Sequence, residues 1–465
     1  MCSLYLSSGN LKGIERVLRI MKVGLLIYSE KQLESFVFSG FIKNLQLLHS
    51  VGILFSEQKL LKLSEQELSG KLLRAVNIWT RKLNTYIQCL ELWRERDISF
   101  AHRVRALNQF ANRKTRQKWT SVIVYEMDQW SESRRFLFRV LSCTPLFQLI
   151  KFIEFLVRRF YILRIWGSDI AQFDVLLIPF AGHTSHVWGN SVWLCKKVGT
   201  KSVALQENWD NVSSKTVITD EPDVFVVWGS QSKSHLRNIH NISRSEIFIG
   251  GSPRFDRYFT EESEAALAIN PYGENRDLTG ERFILLAGTG DGIDDRLLIE
   301  ETFAAISLIS EPPLVVYRPH PFTRFEHDLE GLIRAFPRII LDSGPDARKF
   351  GHQIPLVKKA TLIINHFSTL TLEGLVSNRF VCVPLFLGRP ANIRYDAILD
   401  SAPHYVGLSL VPNLLTPCNQ YEFRAAILQV FQSQSNISPS NIGWICKNSN
   451  YTAEISRLLN LIDRP

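Results

Sequence analysis

Short, uninterrupted apolar runs recur along this chain, each passing into a polar loop and then into a stretch with helical spacing. The first is Lys22–Tyr28, directly after Met21; a helix-like pattern over Lys31–Leu48 and an apolar run at Val51–Phe55 follow. The rhythm resumes with Phe173–Pro179, a polar loop at Gly182–His186 and a helix near Asn190–Val198. Lys201–Leu205 is the next strand and ends in Gln206–Asn211. Asp223–Trp228, a helix through Ser232–Asn238 and the strand Glu246–Ile249 complete the series before Gly250–Asp256. A run that is apolar at every position belongs to a strand covered on both faces. Such strands alternating with helices predict a parallel sheet joined by right-handed crossovers.

Residues 261–281 are polar, with Asn270-Pro271 and Gly273, and read as a linker. A second series begins at Arg282–Ala287 and its loop Gly288–Gly292, with a helix at about Asp295–Ser310 and the strand Leu314–Tyr317. That strand ends in Arg318-Pro319-His320-Pro321; a helix near Glu326–Phe336 and the strand Arg338–Leu341 come next. Ala360–Ile364 ends in Asn365-His366-Phe367-Ser368-Thr369, followed by a helix to Val376 and the strand Phe380–Pro384. Helices near Tyr421–Gln432 and Tyr451–Ile462 close the chain. The predicted fold class is α/β, with two Rossmann-like domains in tandem: residues 1–265, and 280–465. Residues 1–20 read as an extension or a displaced start.

A helical, basic insertion over about 60–166 interrupts the first domain. Between His102 and Lys118 lie Arg103, Arg105, Arg113, Lys114, Arg116 and Lys118, with no acid. Phe136–Trp166 mixes many Phe, Leu and Ile with Arg139, Lys151, Glu154, Arg158 and Arg159, so it does not span a bilayer. Two readings fit it equally: a helix lying on an anionic membrane surface, or a buried helix whose arginines snorkel outward.

Composition narrows the setting without choosing the function. Of 465 residues, 45% are hydrophobic and 21% charged, which excludes a disordered or fibrous chain. The seven cysteines are scattered, with no C-x-x-C pair, and predict a reducing compartment rather than a disulfide framework. No secretory signal is recognised at the N-terminus. The 54 Lys and Arg outnumber 45 Asp and Glu, a net charge of +9 that suits an anionic partner.

The candidate chemistry sits at the carboxyl ends of the apolar runs, where open parallel sheets bind ligands. Ser368 and Thr369 stand where a strand hands over to a helix, a natural phosphate site. Glu373 lies one turn further on, within reach of a ribose diol, and His366 adjoins the pair; Ser368 as a plain helix cap is the competing reading. Arg318 and His320 flank a proline that stiffens their loop, and together suit a diphosphate. Gly288, Thr289 and Gly290 let backbone approach a phosphate, without the spacing of a dinucleotide fingerprint or a P-loop. In the first domain His183, His186, Glu207 and Asp210 are candidate general bases for an acceptor hydroxyl. No His/Cys/Asp set has metal-ligand spacing.

The order of Gly251-Ser-Pro-Arg-Phe-Asp256, Arg318-Pro-His-Pro321 and Asn365-His-Phe-Ser-Thr369 followed by Leu370-Thr-Leu-Glu-Gly374 resembles GT-B glycosyltransferases. It is most similar to bacterial surface-polysaccharide transferases related to CDP-glycerol glycerophosphotransferases, over roughly residues 170–390. The resemblance implies two Rossmann-like domains and a nucleotide-activated donor bound mainly by the second, without a metal or other cofactor. It assigns donor-diphosphate contacts to His320, Ser368 and Thr369, and the ribose-binding acid to Glu373. Where that family has a His-Gly-Thr motif, this chain reads Gln206-Glu-Asn-Trp-Asp210. Asn365-His-Phe-Ser-Thr369 replaces Thr-Asp-Tyr-Ser-Ser, and both changes favour a sugar nucleotide over a glycerol-phosphate donor.

The expected function is transfer of a sugar from a nucleotide donor to a cell-surface polysaccharide or lipid-linked glycan. The alternatives are polyol-phosphate transfer, UDP-N-acetylglucosamine epimerisation, and non-catalytic glycan or lipid binding. The expected partners are the nucleotide sugar, the glycan or lipid-linked acceptor and an anionic membrane surface, with no nucleic acid. The expected location is cytoplasmic, peripheral at the inner face of the plasma membrane.

Overall fold

The apolar runs form two wholly parallel sheets. The computed structural model describes residues 20–64, 70–73, 133, 140, 144–180, 185–216, 218, 220–259, 268–269, 276–288, 295–320, 331, 335–342, 347, 351–366, 368–386, 403–432 and 440–463. The expected basic run 103–118 lies outside them, as do most of the insertion and of the linker.

The first sheet contains β1 (Lys22–Ile27), β2 (Ser50–Phe55), β3 (Lys71–Leu72), β4 (Val175–Phe180), β5 (Lys201–Gln206), β6 (Val224–Val227) and β7 (Glu246–Ile249). Its spatial order is β3-β2-β1-β4-β5-β6-β7. A short antiparallel pair, β8 (Ala268–Ile269) with β9 (Arg276–Asp277), stands within the segment expected as linker. The second sheet contains β10 (Phe283–Ala287), β11 (Leu314–Arg318), β12 (Ile339–Leu341), β13 (Leu362–Ile364), β14 (Phe380–Cys382) and β15 (Leu414–Leu415), in the order β12-β11-β10-β13-β14-β15. Both orders run outward from the first strand and then reverse, the Rossmann arrangement, which opens a crevice between β1 and β4 and another between β10 and β13.

Helices cover both faces of each sheet, which is why the strands are apolar throughout. In the first lobe α1 (Glu30–Gln32) continues as a wider-turned segment, Leu33–Phe38, and is followed by α2 (Phe41–Gln46) and α3 (Gln58–Ser64). A long helix, α4 (Thr144–Val157), runs through Arg158–Ile162 into α5 (Leu163–Ala171); α6 (Ser185–Val198) and α7 (Ser230–Asn238) follow. Leu26, Tyr28, Leu176 and Ile178 pack one face against Trp166, Ile170, Trp188 and Leu194. The chain then crosses to the second lobe through α8 (Asp256–Phe259). There α9 (Asp295–Ile306), α10 (Gln353–Lys359), α11 (Thr369–Val376) and α12 (Gln420–Gln432) flank the sheet, and α13 (Tyr451–Ile462) ends the fold.

Five features depart from the sequence expectations. Helix α6 begins at Ser185, not near Asn190, so His186 lies in a helix rather than on the polar loop. Strands β3 and β15 and helix α10 were not foreseen; β15 is only two residues, too short for a periodic signal. The last helix does not serve the second lobe's core. Tyr451, Ile455, Leu458 and Leu459 of α13 pack against Val23, Leu25, Phe36 and Phe41, closing the other face of the first sheet.

The seam between the lobes is tight. Trp209 from the loop after β5 sits in the second lobe's core and meets the His404 and Tyr405 rings at 5.1 and 5.3 Å. Ser213 Oγ is 2.9 Å from His404 Nδ1. The Gln231 and Lys447 N–H groups donate to the Trp444 and Trp228 carbonyls. Gly251 has φ +82°, and a Cβ there would come within 2.9 Å of the Lys447 carbonyl, so the chain crosses where only glycine fits.

Candidate functional site

Three neighbouring strands of the second lobe end in the residues the sequence singled out. β10 pairs with β11 through Ala287 and Arg318, and with β13 through Leu286 and Ile364. Gly288, Arg318–His320 and Asn365–Thr369 therefore line one rim, centred on the β10/β13 crevice. The outer two strand ends are two strand spacings, roughly 10 Å, apart.

Gly288 is the close-packed centre of that rim. Its N–H donates to the Arg318 carbonyl at 2.8 Å. A Cβ at this position would stand 2.5 Å from Asp295 Oδ2 and 3.1 Å from the His320 backbone nitrogen. The loop glycine is therefore required by sterics, whatever it does for a ligand. Thr289 and Gly290 lie outside the described residues.

Arg318 is held from behind. Its Nη1 donates to Asp342 Oδ2 at 3.0 Å and its Nη2 to the Ala347 carbonyl at 2.6 Å, while His352 Nε2 is 2.9 Å from Asp342 Oδ1. A partly exposed guanidinium anchored this way loses little freedom when it meets an anion. His320 is half-buried two residues on, past Pro319.

Ser368 does cap α11: its hydroxyl accepts from the Leu370 N–H at 3.2 Å, and Thr371 completes a capping box. Asn365 Nδ2 donates to both Ser368 Oγ and Thr371 Oγ1 at 3.1 Å, which fixes the strand-to-helix turn. Thr369 is half-buried beside it and His366 is buried below. The helix N-terminus still aims its dipole at the rim.

Glu373 is placed differently from the sequence expectation. It is 1% exposed, and its oxygens accept from Arg254 Nε at 2.6 Å, from Tyr258 Oη at 2.9 Å and from Gln353. A carboxylate so committed is not open to a ribose diol. Burial and Glu373's charge hold the Tyr258 hydroxyl protonated, its pKa well above the ordinary value. The ion pair instead ties the interlobe segment after β7 to the helix that begins in the rim.

The first lobe presents a second polar rim. Glu207 is buried, and its Oε2 accepts from Gln32 Nε2 at 2.8 Å. Gln32 Oε1 accepts the Tyr28 N–H at 2.8 Å, and Lys31 donates to Asn208 Oδ1. The ends of β1 and β5 are thus locked together. Asp210 is half-buried where the 211–215 turn starts. His183 lies outside the described residues, and of His186 only its place in α6 is described.

Sequence reasoning missed Glu34. It lies in the wider-turned segment Leu33–Phe38 and is exposed, and the charges of Arg254, in the interlobe segment, and of Arg318, in the second lobe, act on it. In sequence it is one acid in a helix-like stretch, with no motif to mark it.

No protein-family model and no curated protein match the chain. Solved structures do. A putative UDP-N-acetylglucosamine 2-epimerase from Listeria monocytogenes matches with a TM-score of 0.55 at 10% identity, over 96% of this chain and 98% of that one. The UDP-GlcNAc 2-epimerase from Methanocaldococcus jannaschii matches with a TM-score of 0.52 at 11% identity, over 95% and 100%. The shared feature is the fold. Two Rossmann-like domains in tandem, the GT-B arrangement, describe both them and this chain.

Proposed function

We propose that the chain is a GT-B glycosyltransferase, moving a sugar from a nucleotide-activated donor to a cell-surface polysaccharide or lipid-linked glycan. The observation that carries this reading is the convergence of Gly288, Arg318, His320 and the capped α11 N-terminus at three adjoining strand ends. A diphosphate placed there meets a guanidinium, an imidazole and a positive helix end. These can neutralise the leaving group's charge as the glycosidic bond breaks, and the proposal assigns that work to them without a metal. The acceptor then lies on the opposite rim, near Lys31, Glu34 and Asn208. Epimerisation of UDP-GlcNAc is the second reading, suggested by the proteins whose fold this chain shares; it uses the same donor pocket and no acceptor.

Thermal melts with UDP-GlcNAc, UDP-galactose, GDP-mannose and CDP-glycerol test the donor site. A sugar nucleotide at 100 times its Kd should stabilise the fold by about 2.7 kcal/mol. Stabilisation by none of them overturns the reading. Proton NMR of UDP-GlcNAc in D2O separates the two reactions. Inversion at C2 would introduce solvent deuterium there, whereas a transferase leaves C2 unlabelled.

The long helix of the first lobe supports a membrane-linked acceptor. Its charged side turns inward: Glu154 and Arg158 are buried and paired at 3.1 Å, and Arg158 also bonds Asp220 at 2.8 Å and Asn190 at 3.1 Å. Leu149, Phe152, Ile153 and Phe160 face outward, Phe152 at 55% and Phe160 at 69% exposure. Arg159, Arg164, Lys196 and Lys197 are exposed with them, and Lys197 lies over Phe155 and Trp193. Neither sequence reading anticipated buried, paired Arg158. No described helix is long and apolar enough to cross a membrane. An apolar stripe edged by cations suits the surface of an anionic bilayer. The protein should float with phosphatidylglycerol vesicles at low salt and less so at 0.5 M salt, and Phe152→Glu/Phe160→Glu should abolish flotation. Equal flotation of the variant would exclude this face.

A further inference from the structure

We propose that His352 is a positioning residue of the donor site: acting through Asp342, it sets the Arg318 guanidinium that is to meet the diphosphate. The inference rests on the donor-site reading above and adds the residue that keeps its arginine in place. Asp342 directly follows β12, and its N–H donates to the Tyr317 carbonyl at 2.8 Å, so its backbone is fastened to β11 one residue before Arg318. Its Oδ2 accepts from Arg318 Nη1 at 3.0 Å, and its Oδ1 lies 2.9 Å from His352 Nε2. An ionised carboxylate only accepts, so Nε2 carries the proton in this bond. Asp342 is buried, and among the described residues these two side chains decide how its carboxylate is turned.

His352 in turn is held from the crossing between the lobes. It stands immediately before α10, between Gly351 and Gln353. Gly351 has φ +90°, and a Cβ there would come within 2.8 Å of Arg257 Nη1, so the α8 guanidinium packs straight onto the backbone at this point. Gln353 Nε2 donates to Glu373 Oε2, which also accepts the Tyr258 hydroxyl at 2.9 Å, while Arg254 Nε bonds Oε1 at 2.6 Å. Ile354 and Leu356 anchor the helix in the second lobe's core. Residues 351–353 thus form a strap. One end lies on the α8 crossing, the middle on Asp342, and the far end on the helix whose N-terminus belongs to the rim.

The strap acts on the freedom of Arg318. A long, flexible side chain must be collected into one orientation before an anion can use it. Asp342 and the Ala347 carbonyl, the latter at 2.6 Å, do this in advance. Without the His352 N–H, Asp342 Oδ1 is left buried with no donor, and the carboxylate turns to recruit the guanidinium more completely. The arginine then offers fewer donors to a phosphate. The loss falls on whatever touches Arg318, which in the donor-site reading is the diphosphate and not the nucleoside.

The test uses full-length protein and titrates UDP, CDP and GDP, each beside its parent nucleoside. His352→Phe fills the ring's space without an N–H. It should weaken the diphosphate that binds by about tenfold, the lower end of what losing a hydrogen bond to a charged group costs, and leave its nucleoside within about twofold. His352→Gln, whose amide can reach Asp342 again, should recover most of the loss. If His352→Phe folds poorly, His352→Ala carries the same expectation. Equal weakening of diphosphate and nucleoside marks a general structural loss and overturns the proposal. No weakening overturns it too, as does a His352→Gln protein no better than His352→Phe. Wild-type protein that binds none of the three diphosphates overturns the donor-site reading instead, and this one with it.

Discussion

Replacing His320 by alanine should cut donor turnover by about 10²–10³-fold, the usual loss when one group stabilising developing charge is removed. The residue sits beyond β11, and Pro319 limits the backbone before it. Its backbone nitrogen closes against Gly288 at the centre of the rim. A half-buried side chain on the open edge of a sheet contributes little to the core, so the melting temperature should stay within a few degrees. Chromatographic measurement of released nucleotide, alongside a thermal melt, separates the two effects. Activity equal to wild type would remove His320 from the site. Arg318→Ala is a poorer probe: among the described residues it also leaves buried Asp342 with only the His352 side chain against it.

Arg254→Met should cost about 3 kcal/mol of stability. It strands the carboxylate of Glu373 inside the protein with only neutral donors, and breaking such a pair typically costs 3–5 kcal/mol. The lower end applies because Arg254 keeps about a quarter of its side chain exposed, at 26%. The urea midpoint should fall with little change in slope. Replacing both partners, as Arg254→Met with Glu373→Leu, should recover most of the loss, because no buried charge then remains. A fall of less than about 1 kcal/mol in the single variant would show that Tyr258 and Gln353 suffice for Glu373. The same variant should raise donor KM, since Arg254 and Glu373 fasten the helix whose N-terminus forms part of the rim.

The strands were legible because their signal is local. Phe283–Ala287 and Val175–Phe180 are apolar at every position, and burial on both faces leaves no other economical arrangement. The rim was legible for the same reason. Gly288, Arg318, His320 and Ser368 each follow directly on such a run, and parallel sheets gather their ligands at that edge. The roles of Ser368 and Glu373 were less legible. A serine ahead of a helix reads equally as cap or phosphate contact, and it caps. Glu373 looked free on its helix because its counter-ion is Arg254, more than a hundred residues earlier, a pairing no spacing rule contains. Glu34 escaped notice because the arginines whose charge reaches it, Arg254 and Arg318, lie far away along the chain.

The amino-acid sequence alone set two α/β halves, their strands and the edge at which polar residues collect, since each follows from hydrophobic pattern within a few neighbouring positions. Tertiary structure decided which distant charges meet, that the last helix completes the first lobe, and that a helix near residue 150 wears its apolar side outward. These are contacts between segments far apart in the chain, and a pattern read along one dimension does not hold them.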